Sequence, residues 1–191
     1  DLNANRVGLK DQSYAIKGGK YGEFRYKAFS DGILHKNTIN ANTLFTGVGT
    51  ATLTYDPAVV TPKNVATWPT RFDYSLTKKK YGVDATYFGD TPAHLTLGWN
   101  QVKDDGLRAL GVNAGIASTQ AVELPEVINW TTNNFNAGAG YKGEGWNVNA
   151  DTSMSNFTNE NLWMTFTNPY LPALASTAIE KTSLPPSNKY N

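Results

Sequence analysis

The chain has 191 residues, a formal net charge of +1, 17% charged and 12% aromatic residues; with no basic stripe to neutralise phosphates, it is not built as a nucleic-acid binder. It has no cysteine, which excludes a disulfide scaffold, a thiolate metal site, a cysteine nucleophile and covalently attached c-type haem on this chain. No apolar run approaches the roughly 18 residues of a spanning helix.

Strict alternation of apolar and polar residues predicts about eight strands. The first covers residues 5–16 and ends in a turn at 17–20, where Gly18 and Gly19 supply positive φ cheaply. The second covers 21–30, with Phe24, Tyr26 and Ala28 between Glu23, Arg25 and Lys27. A polar connection is expected at 31–40, then a third strand over 43–55 and a Pro-containing connection at 56–66. The fourth strand, 67–77, alternates Phe72, Tyr74 and Leu76 with Arg71, Asp73 and Ser75. Lys78, Lys79 and Lys80 are the one basic run and read as a solvated hairpin turn. The fifth strand carries Tyr81, Val83, Ala85 and Tyr87. After a turn at 89–92, the sixth, 93–102, alternates Leu95, Leu97 and Trp99 with Thr96, Gly98 and Asn100. Residues 103–124 read as an external loop. The seventh strand ends at Tyr141, 142–145 is a hairpin turn, and the eighth runs over 146–157.

A period of two gives each strand one greasy face and one of amides, hydroxyls, charges or glycine. That is the wall of an all-β, antiparallel transmembrane β-barrel, with lipid outside and a polar lumen inside. Phe72, Tyr74, Leu76, Leu95, Leu97, Val148 and Ala150 are expected toward lipid. Asp73, Ser75, Thr96, Asn147 and Asn149 are expected toward the lumen. Tyr14, Tyr21, Tyr81, Tyr87, Trp99, Tyr141 and Trp146 fall near strand ends, where an aromatic girdle belongs. With the first turn on the periplasmic side, short turns gather there and long loops on the other side. The connection at 56–66 and the short lysine turn break that rule.

The whole chain, 1–191, reads as a single β-barrel region. Prolines at 169, 172, 185 and 186 interrupt its last part, so 159–191, apart from a weak strand at 162–167, is expected to be a long loop leading to further strands. No closing strand follows, and the chain is expected to form part of a larger barrel whose first and eighth strands do not pair. Residue 1 is expected to be a mature or internal position, since no signal peptide stands there.

No constellation for catalysis stands out. His35 lies in a polar stretch and His94 at a strand start; both read as surface or interfacial residues rather than ligands. Asp104-Asp105-Gly106 resembles the start of a calcium loop but lacks the closing Glu, so a turn is the better reading. Glu123 and Glu126 flank Leu124-Pro125 with no base or nucleophile nearby. Gly138, Gly140 and Gly143 copy a dinucleotide-binding spacing in a strand-and-turn context, which rules it out. Catalytic, cofactor-binding and metal residues are therefore none.

Several ordered segments carry a resemblance. They are Val127 to Thr132, Phe135 through Tyr141 with Gly143 and Trp146, Ser155 to Asn161, Trp163, Thr167-Asn168-Pro169-Tyr170, and Leu184-Pro185-Pro186-Ser187-Asn188. The set resembles a recurring block of MtrB/PioB-type outer-membrane barrels. Asn129-Trp130 stands where the family has Asp-Tyr, Tyr170 where it has Phe, and the N-terminal Cys-x-x-Cys of some members is absent. The resemblance implies a non-enzymatic porin in the outer membrane of a Gram-negative bacterium. It implies a sleeve around a periplasmic multihaem c-type cytochrome, with an extracellular cytochrome docked outside and haem only on those partners. Two alternatives stay open: a complete small outer-membrane barrel acting as porin or adhesin, and a secreted β-sandwich binding carbohydrate through Trp and Asn.

Overall fold

The computed structural model describes residues 1–55, 68–89, 92–114, 120–171 and 178–191. The connection expected at 56–66, residues 90–91 of the next turn and Pro172 lie outside them. Among the described residues the chain is all strand and turn.

The main sheet has eight strands, built from β1 (Leu2–Asn5), β2 (Ser13–Lys20), β3 (Phe24–Thr43), β6 (Thr70–Tyr87), β7 (Ala93–Asn113), β8 (Ala121–Gly143), β9 (Trp146–Asn159) and β12 (Asn188–Tyr190), adjacent in that order. Every pairing is antiparallel. The sheet is open: β1 and β12 are its two edges, so the first and last strands do not pair. A second sheet holds β4 (Phe45–Thr46), β5 (Thr52–Tyr55), β10 (Trp163–Thr167) and β11 (Ile179–Ser183), in the order β11-β10-β5-β4.

Several expected boundaries are corrected. The lysine run is not a turn. Residues 78–80 continue one 18-residue strand, β6, because their backbone is paired with residues 102–104 of β7 and Lys78 meets Asp104. The predicted fourth and fifth strands are therefore one. Residues 31–40 are strand rather than loop, absorbed in β3 with register shifts near Lys36, Thr38 and Ala41. Those shifts place the extra residues on β3 and leave the alternation of β6 unbroken. The loop expected at 103–124 is mostly hairpin, with β7 and β8 paired from Ala93↔Tyr141 to Asn113↔Ala121. The first strand splits into β1 and β2, and its turn moves to residues 21–23. The predicted third strand leaves the main sheet to form β4 and β5. Within 159–191 the weak strand expected at 162–167 is β10, and the rest, expected as a long loop, also holds β11 and β12.

These merges sort the connections by length. At one end the strands are joined by the short turns at 21–23 and 144–145, and there the connection from Tyr87 to Ala93 is five residues long. At the other end the strands are linked by the longer connections 6–12, 44–69, 114–120 and 160–187. The two longest excursions meet there. Thr165 and Phe166 of β10 pair in parallel with Thr52 and Leu53 of β5. The small sheet so formed encloses the main buried core: Phe45, Leu53, Met164 and Phe166 pack with Val122 and Leu124 of β8 and with Leu110 and Val112 of β7.

Candidate membrane surface and the opposite polar face

Register assembles one face of the main sheet residue by residue. Ile16, Ala28, Val83, Trp99, Phe135 and Met154 form one row across β2, β3, β6, β7, β8 and β9. The next row toward the short turns holds Tyr26, Ala85, Leu97 and Ala137, and the next Phe24, Tyr87, Leu95, Ala139 and Ala150. Leu97 remains 52% exposed and Val148 59%. A continuous apolar face of this kind is rarely left in water. Its middle is a shallow depression of about 500 Å³, where small Ala85 and Ala137 lie among Leu97, Trp99, Phe135 and Met154.

Aromatic rings rim this face. Near the short turns Phe24 stacks with Tyr26 at 6.5 Å and Tyr141 with Trp146 at 5.3 Å. Tyr14, Tyr81 and Trp99 stand along the far rim. Six steps separate Tyr81 from Tyr87 on β6 and eight separate Trp146 from Met154 on β9, roughly 20–26 Å along the strands. Strands of 18 to 23 residues are about twice the 9–11 that cross a bilayer. The band therefore occupies only the half of the sheet nearer the short turns.

The other face is polar. One row holds Lys17, Lys27, Asp84, Gly98, Asn136 and Ser153. The adjacent row holds Phe29, Gly82, Asn100, Asn134 and Ser155, and Asn134 Nδ2 donates to Asn100 Oδ1 at 2.9 Å. Glycine has a packing role here: a Cβ on Gly82 would sit 2.5 Å from the Phe29 ring. That ring carries the Lys27 and Lys80 ammoniums at 4.7 and 5.6 Å. Beyond the band, Lys78 faces Asp104 at 3.6 Å. Arg108 clamps fully buried Glu126 in a two-point bridge, Nε to Oε2 2.6 Å and Nη2 to Oε1 3.2 Å. The same guanidinium lies 5.0 Å over Trp130.

The facing expectation holds on the later strands and fails on β6. Leu95, Leu97, Val148 and Ala150 are on the apolar face, and Thr96, Asn147 and Asn149 on the polar one. Phe72, Tyr74 and Leu76 are on the same face as Asp84 and Thr86, and Asp73 and Ser75 oppose them. The cause is the missing turn: without a break at 78–80, even-numbered β6 residues share one face throughout. These three also lie outside the apolar band, past Tyr81. Tyr74 is buried and donates to Glu123 Oε1 at 2.9 Å. Burial, reinforced by that carboxylate, pushes its phenol well above the ordinary value.

The other residues singled out by sequence do not converge. His35, exposed, and His94, partly buried over Gly140, are on different strands of the polar face. Asp104 and Asp105 point to opposite faces of β7 rather than forming a turn. Glu123 and Glu126 are likewise split, one with Tyr74 and one with Arg108. Gly138 and Gly140 lie within β8, and Gly143 ends it. Among the described residues no three His, Asp or Glu side chains gather as a metal site.

Polar residues inside the motif block do converge, and only the motif marked them in sequence. Asn168 Nδ2 donates to the Ala114 carbonyl and its Oδ1 accepts from Tyr170 N at 2.8 Å. Tyr170 Oη donates to the Ala121 carbonyl at 2.8 Å. The Asn-Pro-Tyr step thus holds both sides of the β7–β8 tip. Asn159 Nδ2 donates to the Pro185 carbonyl, and Asn159 N to Ser187 Oγ. That joins the end of β9 to the Leu-Pro-Pro-Ser-Asn step.

Comparison with known proteins agrees with this architecture. The family model described as "Putative outer membrane beta-barrel porin, MtrB/PioB" matches residues 1–190. A curated relative, "Outer membrane protein MtrB" of Shewanella baltica (strain OS185), is 23% identical over 194 residues. The match covers 98% of this chain and 28% of that relative, so the chain spans little more than a quarter of its length. An apolar, aromatic-rimmed face on long antiparallel strands, an open sheet and a match along nearly every residue agree: this chain belongs to the MtrB/PioB family of outer-membrane β-barrel porins.

Proposed function

We propose that this chain forms one arc of a larger outer-membrane barrel that sheathes a multihaem c-type cytochrome for electron transfer across the membrane. The observation that carries the reading is the contrast between the two faces of the main sheet. The outer face suits lipid. The inner face, with Asn100, Asn134, Asn136, Asn149 and Ser153 on β7–β9, offers short neutral donors and acceptors that bind a hydrated protein surface directly or through water. Family membership supports the reading, and the open edges at β1 and β12 give the arc somewhere to continue. In this role the chain is structural and its haem belongs to the partner. An extracellular cytochrome docks at the end where the small sheet sits.

The test is purification of the full-length protein from its native membrane in mild detergent, followed by haem staining, visible absorbance and electron transfer across proteoliposomes. The expected outcome is co-purification of a haem protein and transmembrane reduction that depends on it. A colourless barrel that passes small solutes and retains no cytochrome rejects the reading in favour of a simple porin.

A further inference from the structure

A second site lies outside the barrel wall, just past the far aromatic rim. Between the row of Lys20 and Phe24 at the short-turn rim and the row of Tyr81, no position on the outer face carries a charge. Immediately beyond Tyr81, Lys79 and Lys103 both point outward, and they are direct cross-strand partners. Like charges placed opposite each other repel. The ion pairs among the described residues engage neither lysine.

A third lysine is brought to them by a built feature. The turn between β1 and β2 folds back over β3, where Gly32 N donates to the Gln12 carbonyl at 3.0 Å. Only glycine fits there: a Cβ on Gly32 would lie 2.8 Å from the Lys10 carbonyl oxygen. The fold-back makes Lys10 one wall of a groove of about 690 Å³ shared with Lys79, Lys103, Gln12 and Tyr81. Asp105 also lines the groove and leaves it net positive, with three lysines against one carboxylate.

We propose that this groove binds the phosphorylated headgroup of an outer-leaflet glycolipid, of the lipid A type. The acyl chains would lie on the apolar rows below Tyr81, and the phosphates would meet the three ammoniums at the height where headgroups begin. Lysine suits this task because its compact charge can follow a mobile phosphate. The leaflet follows from the turns. Short turns face the periplasm in outer-membrane barrels and long loops the exterior, and the groove is at the long-loop end. The inference rests on the barrel's place in the membrane and is independent of what the barrel encloses.

The test uses the full-length protein in detergent, titrated with bis-phosphorylated lipid A, dephosphorylated lipid A, phosphatidylglycerol and inorganic phosphate, with bound lipid read by native mass spectrometry. The double variant Lys79→Gln/Lys103→Gln should lose about thirtyfold in affinity for lipid A, from roughly fivefold per lysine. Its unfolding without lipid should be unchanged or shifted to higher denaturant, since a repulsion is removed. Lys17→Gln/Lys142→Gln, an equal charge change on the polar face, should bind like the parent. Equal lipid A binding by the parent and the Lys79/Lys103 variant, or by phosphorylated and dephosphorylated lipid A, overturns the site. Phosphatidylglycerol binding as tightly as lipid A overturns the choice of leaflet and lipid. Saturation by inorganic phosphate at the same concentration overturns the lipid altogether.

Discussion

At the scale of single residues, an added positive charge has unequal consequences on the two faces. Leu97 lies mid-band with lipid as its solvent, and Asn149 lies two strands away on the inner wall. In the full-length barrel folded into vesicles, Leu97→Arg should cost about 2–4 kcal/mol, because the guanidinium must reach an interface or thin the bilayer. Asn149→Lys should change stability by less than about 0.5 kcal/mol. Denaturant titration checks both, and similar costs for the two would contradict the assigned faces. Buried polar residues show a different logic. Glu126 is tolerated at full burial because Arg108 meets it with two hydrogen bonds while stacking on Trp130. Arg108→Ala should therefore destabilise the long-loop end by about 3 kcal/mol, since it leaves a buried carboxylate without its charge partner. Loss of native chymotryptic resistance in that region, with the membrane band still folded, is the outcome to look for.

At the scale of elements, the β7–β8 hairpin is where the wall becomes something else. β7 leaves β6 at Gly106, whose φ of +147° and close approach to the Ser75 carbonyl oxygen admit no side chain. Past that point the cross-strand pairs Leu110–Leu124 and Val112–Val122 form the floor beneath the small sheet. Asn168 and Tyr170 then fasten the tip on both sides. Gly106→Val should disturb the departure angle, at a backbone strain of about 1–3 kcal/mol. Asn168→Ala should leave the Ala114 carbonyl without a partner, at about 1–3 kcal/mol. Both variants should speed amide hydrogen exchange in β5 and β10 and leave β9 residues 146–154 unaffected. Equal acceleration in β9 would mean that wall and small sheet unfold as one unit.

At the scale of the whole molecule, an eight-stranded sheet with two unpaired edges is an arc, and an arc in a bilayer needs neighbours, since unsatisfied backbone groups are costly in lipid. Cysteines placed at Ala4 on β1 and Lys189 on β12 of the full-length barrel should not cross-link to each other under oxidation, the outcome expected of the proposed arc, whose edges stand apart at opposite ends of the sheet. A high-yield disulfide between them would show instead that these strands close a small barrel by themselves. Much of this was legible in the sequence. Alternation around Leu97, Phe135 and Val148 determined which residues face lipid, because the period of two is local and needs no partner to express it. The ordered Asn, Trp and Pro steps after Val127 determined the family. The sequence could not decide where strands end. The lysines at 78–80 and the polar run at 31–40 look like turns in isolation, and only cross-strand partners such as Asp104, together with the bulges on β3, keep them extended. Once β6 is continuous, Phe72, Tyr74 and Leu76 change face, since parity propagates along an unbroken strand. The small sheet and the Lys10, Lys79 and Lys103 groove were equally hidden, because each joins residues far apart in the chain, and only the folded register brings them together.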